Sequence, residues 1–129
     1  MTDRPQLHVR VVDGAEDVGE IVREILEEEG YQVTVTTETP RDPGDLAPDG
    51  VDLVIVDPGI GGVDSDGWFQ QHLEHDHEAL EIPLVVCTGN TRILRDLADD
   101  LEERNIDLVQ KPFDLEELLQ VVDAHIGPA

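Results

Sequence analysis

Five short segments rich in aliphatic and β-branched residues recur along the chain and are typical of β-strands: residues 7–12, 31–37, 51–57, 82–88 and 106–109. In the third segment, VDLVIVD, the run Leu53–Val56 is unbroken by any polar residue. It is too short to span a membrane and too apolar for a strand with one face in water. It therefore predicts a central strand covered on both faces, with an exposed carboxyl end at Asp57, where Pro58 and Gly59 follow.

Between these segments, apolar residues return at helical spacing. The first helix is expected to end at Gly30 and to have an apolar side made of Val18, Ile21, Val22, Ile25 and Leu26. Two further helices are predicted at about residues 66–79 and 91–104. The last helix begins after Asp114, which forms a capping-box pattern with Glu117. Its predicted buried side consists of Leu115, Leu118, Leu119, Val122 and Ile126.

The order of these elements predicts the fold class. Strands that alternate with helices form parallel sheets with right-handed crossovers and helices on both faces. We therefore expect an α/β protein with a flavodoxin-like, doubly wound five-stranded parallel sheet in the order 2-1-3-4-5. Three prolines in residues 38–50 indicate that the second helix is short or missing. We expect a single, stand-alone domain over residues 1–129, because the chain stops just after the last helix.

Composition narrows the possible partners and the cellular setting. The chain has 31 acidic and 8 basic residues and a formal net charge of −23, which disfavours direct binding to nucleic acid or to an anionic membrane. Such a surface suits either a basic partner or a salt-rich cytoplasm, and the spread of acids along the whole chain favours a halophilic source. The single cysteine and the lack of a membrane-length apolar run indicate a reduced, cytoplasmic location.

Candidate chemistry lies at the predicted strand ends. Asp13, Asp57, Thr88 and Lys111 end or follow four strands that are neighbours in the expected order, and Lys111 is the only lysine of the chain. Ligand sites of open parallel sheets lie at this edge. Two close carboxylates repel unless a cation or a proton lies between them, and their oxygens suit Mg²⁺. A carboxylate can also attack a phosphoryl group to give an acyl phosphate.

The strand-end motifs resemble those of the receiver (REC) domains of two-component response regulators; they are VVD (11–13), VDLVIVD (51–57), VVCTG (85–89) and QKPFD (110–114). The resemblance covers nearly the whole chain. It implies that Asp57 is the phosphoacceptor for a histidine kinase or phosphotransfer protein. It further implies that Thr88 and Lys111 contact the phosphoryl oxygens, and that Asp13, Asp57 and the backbone of Gly59 bind Mg²⁺.

The chain departs from the family pattern at several positions. Gly14 stands where the family usually has a second acid that ligates the metal directly, so we expect weak Mg²⁺ binding. Leu108 stands where the family has a switch aromatic, so the expected switch surface consists of Thr88 and Leu108. The loop after Asp57 is about two residues longer than usual. Residues that could replace the missing metal ligand are Glu16, Asp64 and Asp66.

Other candidate groups have simpler interpretations. A zinc site at His72, His75 and His77 lacks clear further ligands, and a solvated helix face is favoured. Asp64 and Asp66 also suit a solvated acidic loop. Cys87 lies within an apolar strand and is interpreted as an inert core residue.

Three functions remain open. The first is a phosphorylatable receiver that signals through a downstream protein partner and is not an enzyme, apart from self-phosphorylation and autodephosphorylation. The second is a pseudo-receiver that binds partners without phosphorylation, as Gly14 and Leu108 suggest. The third is a flavin or nucleotide protein of the same fold, but the loop DGAED after the first strand is acidic and lacks a glycine-rich phosphate cradle.

Overall fold

The computed structural model describes residues 7–37, 50–57, 83–89, 106–111 and 114–126, with residues 92, 95, 98, 99, 102 and 103. Its strands are β1 (His8–Val12), β2 (Gln32–Thr36), β3 (Leu53–Val56), β4 (Leu84–Thr88) and β5 (Asp107–Gln110). Its complete helices are α1 (Glu16–Glu28) and α2 (Leu115–Ile126). Residues 92, 95, 98, 99, 102 and 103 are helical, in agreement with the helix predicted over residues 91–104, and all six are exposed. The predictions for residues 38–49 and 66–79 lie outside the described residues.

The sheet has the predicted architecture. Its five strands are parallel and follow the order β2-β1-β3-β4-β5. This register carries the strand ends to a common edge: Val12 pairs with Val56, and Thr88 pairs with Gln110. Strand β5 begins and ends one residue later than predicted, which leaves Lys111 directly after its last residue.

The core lies on both faces of the central strands. Every residue of β3 and β4 is buried, as the unbroken apolar runs predict. On one face, alternate strand residues such as Val11 and Ile55 pack in a cluster with Val22 of α1 and Leu118 of α2. Residues of the opposite parity, Val12, Val54, Val56, Leu84 and Val86, are buried as well. The sheet is therefore covered on both sides, as expected for a doubly wound fold.

The helix boundaries follow local chemistry. The backbone N–H of Glu116 donates a 2.9 Å hydrogen bond to Asp114 Oδ1, so Asp114 caps α2 as predicted. Gly30, with φ of 97°, follows the end of α1, where a left-handed conformation favours glycine. One helix residue departs from the prediction: Ile21 is 49% exposed instead of lying on the apolar side. Among the residues described, no helix has the length and apolar character needed to cross a membrane.

Candidate functional site at the carboxyl edge of the sheet

Backbone hydrogen bonds extend the sheet by one residue beyond the strands and fix the position of three candidate residues. Asp13 donates its N–H to Thr36 O at 3.0 Å, and Asp57 donates its N–H to Val12 O at 2.9 Å. Lys111 donates its N–H to the carbonyl oxygen of Thr88 at 3.0 Å. These residues therefore inherit the rigidity of the sheet, although each follows the last residue of its strand.

The Lys111 side chain brings the two candidate carboxylates together. Its Nζ atom donates to Asp13 Oδ2 at 2.6 Å and to Asp57 Oδ2 at 3.0 Å. The other oxygen of Asp13, Oδ1, accepts the backbone N–H of Ala15 at 2.8 Å. Asp13 is thus held at both oxygens, by the lysine on one side and by the turn before α1 on the other.

Burial strengthens the ion pairs of Lys111 with Asp13 and Asp57. The side chains of Asp13, Asp57 and Lys111 are only 6%, 16% and 18% exposed. Burial alone would lower the pKa of Lys111, but the hydrogen bonds to Asp13 and Asp57 outweigh it and raise the pKa above its ordinary value. Lys111 is therefore an ammonium ion at neutral pH, and it supplies a cation between two carboxylates that would otherwise repel each other.

Thr88 and Cys87 lie beside this group at the end of β4. Thr88 is 1% exposed, and its carbonyl anchors the Lys111 backbone. Burial raises the pKa of the Cys87 thiol to about 12, against the opposing effect of the Lys111 charge and with a further upward contribution from Asp13 and Asp57. Cys87 is 2% exposed within the core cluster, so it is a core residue as predicted, and its raised pKa disfavours the reactive thiolate.

The structure brings some of the predicted site residues together and leaves others apart or outside the described residues. Asp13, Asp57 and Lys111 are in direct contact, and Thr88 joins them through the backbone. Leu108 is 37% exposed on β5. Gly59, Asp64, Asp66, His72, His75 and His77 lie outside the described residues. Glu16 is an exposed residue at the start of α1. Among the described residues, no group of three or more His, Cys, Asp or Glu side chains could hold a metal ion, so the structure does not bring Glu16 into such a group.

Two features of the site were not predicted from the sequence. The first is the double contact of Lys111 with both carboxylates, since the family resemblance implies only a contact of this lysine with phosphoryl oxygens. The second is the hydrogen bond from the Ala15 N–H to Asp13. Almost any residue can supply a backbone N–H donor, so the residue type of Ala15 does not reveal this bond. The signal that could have revealed it is the short turn Asp13-Gly14-Ala15 before a helix, because an aspartate in such a turn often accepts the backbone N–H two residues ahead.

Comparison with known proteins decides the family. The family model described as the response regulator receiver domain matches residues 9–123, nearly the whole chain. The chain belongs to this family. The receiver domain assignment agrees with the fold and with the strand-end motifs on which the resemblance was based.

The curated relatives of this receiver domain are longer proteins. The transcriptional regulatory protein YrkP of Bacillus subtilis, which is described as uncharacterized, is 31% identical over 113 residues, covering 85% of this chain and 45% of YrkP. The response regulator SaeR of Staphylococcus aureus is 30% identical over 115 residues, covering 87% of this chain and 47% of SaeR. The chain thus spans about half the length of the curated relatives it matches.

Solved structures show the same fold. A response regulator from Thermotoga maritima superposes with a TM-score of 0.68 at 24% identity, covering 96% of this chain and all of that one (100%). The chemotaxis protein CheY4 of Vibrio cholerae superposes with a TM-score of 0.72 at 20% identity, covering 95% of this chain and 100% of that one. The described residues therefore have the fold of these solved structures.

Proposed function

We propose that this receiver domain is a phosphoacceptor in signal transduction. In this proposal, Asp57 takes a phosphoryl group from the phosphohistidine of a histidine kinase or phosphotransfer protein, and the modified domain switches a downstream protein partner. The observation that carries the proposal is the contact of Lys111 Nζ with Asp57 Oδ2, beside the second carboxylate of Asp13. Asp57 follows a fully buried strand but keeps 16% of its side chain exposed, so a donor can reach it.

The chemistry requires a nucleophile and compensation for negative charge. A carboxylate oxygen of Asp57 attacks phosphorus, the bond from phosphorus to the histidine nitrogen breaks, and that nitrogen keeps the electron pair. The product is an acyl phosphate with more negative charge at the sheet edge. Lys111 is charged and in contact with Asp57, which supports the proposal that it stabilises the phosphoryl oxygens together with the Thr88 hydroxyl.

The residues of the site fit Mg²⁺. Asp13 and Asp57 offer carboxylate oxygens that already converge on one cationic group, Lys111 Nζ. Mg²⁺ commonly binds through one or two carboxylates and keeps several waters. Asp13, Asp57 and the backbone of Gly59 would hold the ion, which when bound supplies positive charge for the phosphoryl oxygens. Gly14 provides no carboxylate, so we propose that binding is weak.

The wider biological role is part of the same proposal. We place the domain in a salt-rich cytoplasm as a phosphoryl-accepting regulator that is not an enzyme, with at most self-phosphorylation and autodephosphorylation as reactions of its own. The charge of −23 supports a protein partner over direct contact with nucleic acid or an anionic membrane. We also propose that residues 1–129 form one receiver domain.

The experiment is phosphorylation with acetyl phosphate and Mg²⁺ at high salt, followed by intact mass measurement. We expect the wild-type chain to gain the mass of one phosphoryl group and Asp57→Asn to gain none. Asp114→Asn is the matched control, because it makes the same chemical change at a helix cap where asparagine also serves. An unmodified wild-type chain, or an adduct that persists in Asp57→Asn, would contradict the proposal.

A second candidate is a pseudo-receiver that binds its partner without phosphorylation. It is favoured by the absence of an acid at Gly14 and by the exposed Leu108 on β5, where the switch aromatic of the family is missing. The same mass measurement separates the two candidates. A chain that takes no phosphoryl group under any donor, while Asp57→Asn still binds the same partner, would support the pseudo-receiver.

A further inference from the structure

Strand β2 forms an outer edge of the sheet, because it pairs with β1 and stands last in the strand order. On its inner side, Gln32 donates its N–H to Leu7 O at 2.8 Å, and Thr36 O accepts the N–H of the residue after β1 at 3.0 Å. The backbone groups of successive strand residues turn to opposite sides of the strand. The N–H and C=O groups of Val33 and Val35 therefore point away from β1, along the outer edge of the sheet.

The β2 edge lacks the charged residues and prolines that usually keep sheet edges from pairing with other chains. Residues 31–37 contain neither, although the whole chain carries 31 acids. The neighbouring strand β1 also has no acid, and it has one arginine, Arg10, in register with Thr34. At the opposite edge, β5 begins with Asp107, whose side chain is 50% exposed. The β2 edge is therefore the place where two copies of this acidic chain can approach without opposing acids of the paired strands.

We propose that β2 is the contact surface for a second copy of this chain, which pairs its own β2 antiparallel across a two-fold axis at Thr34. In this register Val33 of one copy faces Val35 of the other, and the two residues exchange both of their backbone hydrogen bonds. Gln32 faces Thr36, and Thr34 faces its own counterpart, so every opposed side chain is uncharged. The edge is self-complementary, as a two-fold contact requires, and the two sheets become one continuous sheet.

The strength of this contact should depend on protein and salt concentration. One five-residue strand from each copy is a small contact beside the about 1,200–2,000 Å² of a standard interface, so we expect a weak dimer. The charge of −23 on each copy opposes the approach, and KCl screens that repulsion. The dimer makes no use of the side chains of Asp13, Asp57 or Lys111, so it goes beyond the proposed function.

The first test uses the wild-type chain at 2 M KCl and compares amide hydrogen exchange, followed by NMR, in dilute and concentrated samples. We expect exchange at Val33 and Val35 to slow at least about fivefold on concentration, because the dimer protects N–H groups that otherwise face water. The amides of Leu108 and Gln110 are the matched control, because alternation from the Lys111 N–H bond to β4 places them on the outer edge of β5. No change at Val33 and Val35, or slowing at Leu108 and Gln110 instead, would overturn the proposal.

The second test examines the register with a disulfide. Thr34→Cys places a cysteine at the two-fold axis, where opposed Cα atoms would lie about 4.5 Å apart, within the range of a disulfide. Gln32→Cys is the matched control, because Gln32 is also exposed but would lie four residues, or roughly 13–14 Å, out of register with its counterpart. Copper phenanthroline in air should convert most of Thr34→Cys into a covalent dimer and leave Gln32→Cys monomeric. The native Cys87 is 2% exposed and should not react.

The outcomes separate the dimer from its alternatives. Equal cross-linking of the two variants would indicate random collision and overturn the register. A wild-type chain that stays monomeric in sedimentation velocity at 2 M KCl, with Thr34→Cys not cross-linked, would overturn the dimer and leave the β2 edge to a strand of another protein. Asp57→Asn should dimerise as wild type does, so failure of phosphorylation and failure of dimerisation are distinguishable.

Discussion

Gly19 of α1 approaches Val35 of β2 so closely that a Cβ atom added to the glycine would lie 2.6 Å from Val35 Cγ1. Gly19 is buried, and Val35 packs against the core cluster. A valine side chain is stiff at χ1 and cannot easily turn away. The glycine therefore allows the helix and the edge strand to pack at this distance.

We predict that Gly19→Ala destabilises the domain. In an unobstructed helix, this change would stabilise by about 1 kcal/mol, whereas overpacking costs about 1–3 kcal/mol, so the net free energy of unfolding should fall. Urea denaturation gives the value. In the Val35→Ala background the added methyl group has room, and Gly19→Ala should there be neutral or stabilising. Equal destabilisation in both backgrounds would show that the close contact is not the cause.

The single tyrosine supplies a second prediction, at alkaline pH. The Tyr31 hydroxyl donates to Asp123 Oδ1 of α2, and the residue is 5% exposed. Burial, followed by the hydrogen bond and the charge of Asp123, raises the pKa of Tyr31 above its ordinary value. Because the folded state favours the protonated phenol, this group stabilises the fold below the unfolded pKa of about 10, and the contribution is lost as pH rises further.

Absorbance titration of the phenolate tests this prediction directly, because Tyr31 is the only tyrosine. We expect native Tyr31 to ionise at higher pH than the urea-unfolded chain. Tyr31→Phe should lose about 1 kcal/mol of stability at pH 7 and decline less steeply above pH 10 than wild type. Coincident native and unfolded titration curves would exclude the raised pKa.

The sheet could be predicted because buried parallel strands have an unmistakable pattern. The short aliphatic runs of β3 and β4 are typical of central strands that are buried on both faces. Because strands and helices alternate along the chain, the strands are expected to be parallel and to follow the observed order. The edge strand β5 was harder to place: three of its four residues are exposed, so its apolar signal is weak and its bounds were predicted one residue too early. Ile21 matches the helical period, but the period alone does not tell how far the packed surface extends around α1.

The sequence predicted which residues of the candidate site lie near one another, but not the hydrogen bonds between them. Strand ends meet at one edge of a parallel sheet, so the proximity of Asp13, Asp57 and Lys111 followed from the topology. The hydrogen bonds among them did not, because a long lysine side chain can reach several acceptors. The 2.6 Å contact of Nζ with Asp13 depends on side-chain geometry that no sequence motif encodes.

The acidic surface predicts that salt stabilises the fold. The chain has a charge of −23, and the outer face of α1 is dense with exposed acids but has one arginine, Arg23. At 2 M KCl the Debye length falls below about 3 Å, which screens this repulsion. We expect the Tm to rise by at least roughly 3–5 °C between 0.1 and 2 M KCl, corresponding to about 1 kcal/mol.

A charge-reduced variant separates screening from general salting-out. Glu24→Gln combined with Glu28→Gln removes two exposed charges from α1 without altering the core. Its Tm should be higher than that of wild type at low salt and should depend less on KCl. Identical salt dependence of the two proteins would show that charge repulsion is not responsible.

Restoring an acid at Gly14 should tighten metal binding. Gly14 is exposed and directly follows Asp13, so Gly14→Asp adds a carboxylate next to an existing candidate ligand. Ligand charge is a main determinant of divalent cation affinity, and we expect about tenfold tighter Mg²⁺ binding by calorimetry. Gly14→Asn is the matched control, since it adds an oxygen without charge. An affinity equal to that of wild type in Gly14→Asp would refute the missing-acid explanation.

The final prediction concerns how phosphorylation at Asp57 reaches the surface. Leu108 cannot serve as an aromatic rotor, but the bond from the Lys111 N–H to Thr88 O couples β4 directly to the end of β5. A phosphoryl group on Asp57 should draw Thr88 and Lys111 toward it and displace residues 89–92. Contacts present in only one of two states set the energy of such a switch, and about 1–3 kcal/mol suffices for regulation.

Beryllofluoride, a mimic of the phosphoryl group, allows this switch to be followed by amide NMR. We expect shifts at Asp57 to continue through residues 88–109 in wild type. In Thr88→Val the hydroxyl is absent while the shape of the buried side chain is kept, so the shifts should remain near Asp57 and Lys111. Because the pairing of β4 with β5 uses backbone groups that the substitution leaves in place, that difference would assign the signal to the hydroxyl of Thr88. Shifts confined to the Asp57 loop in wild type would instead favour the phosphorylation-independent module.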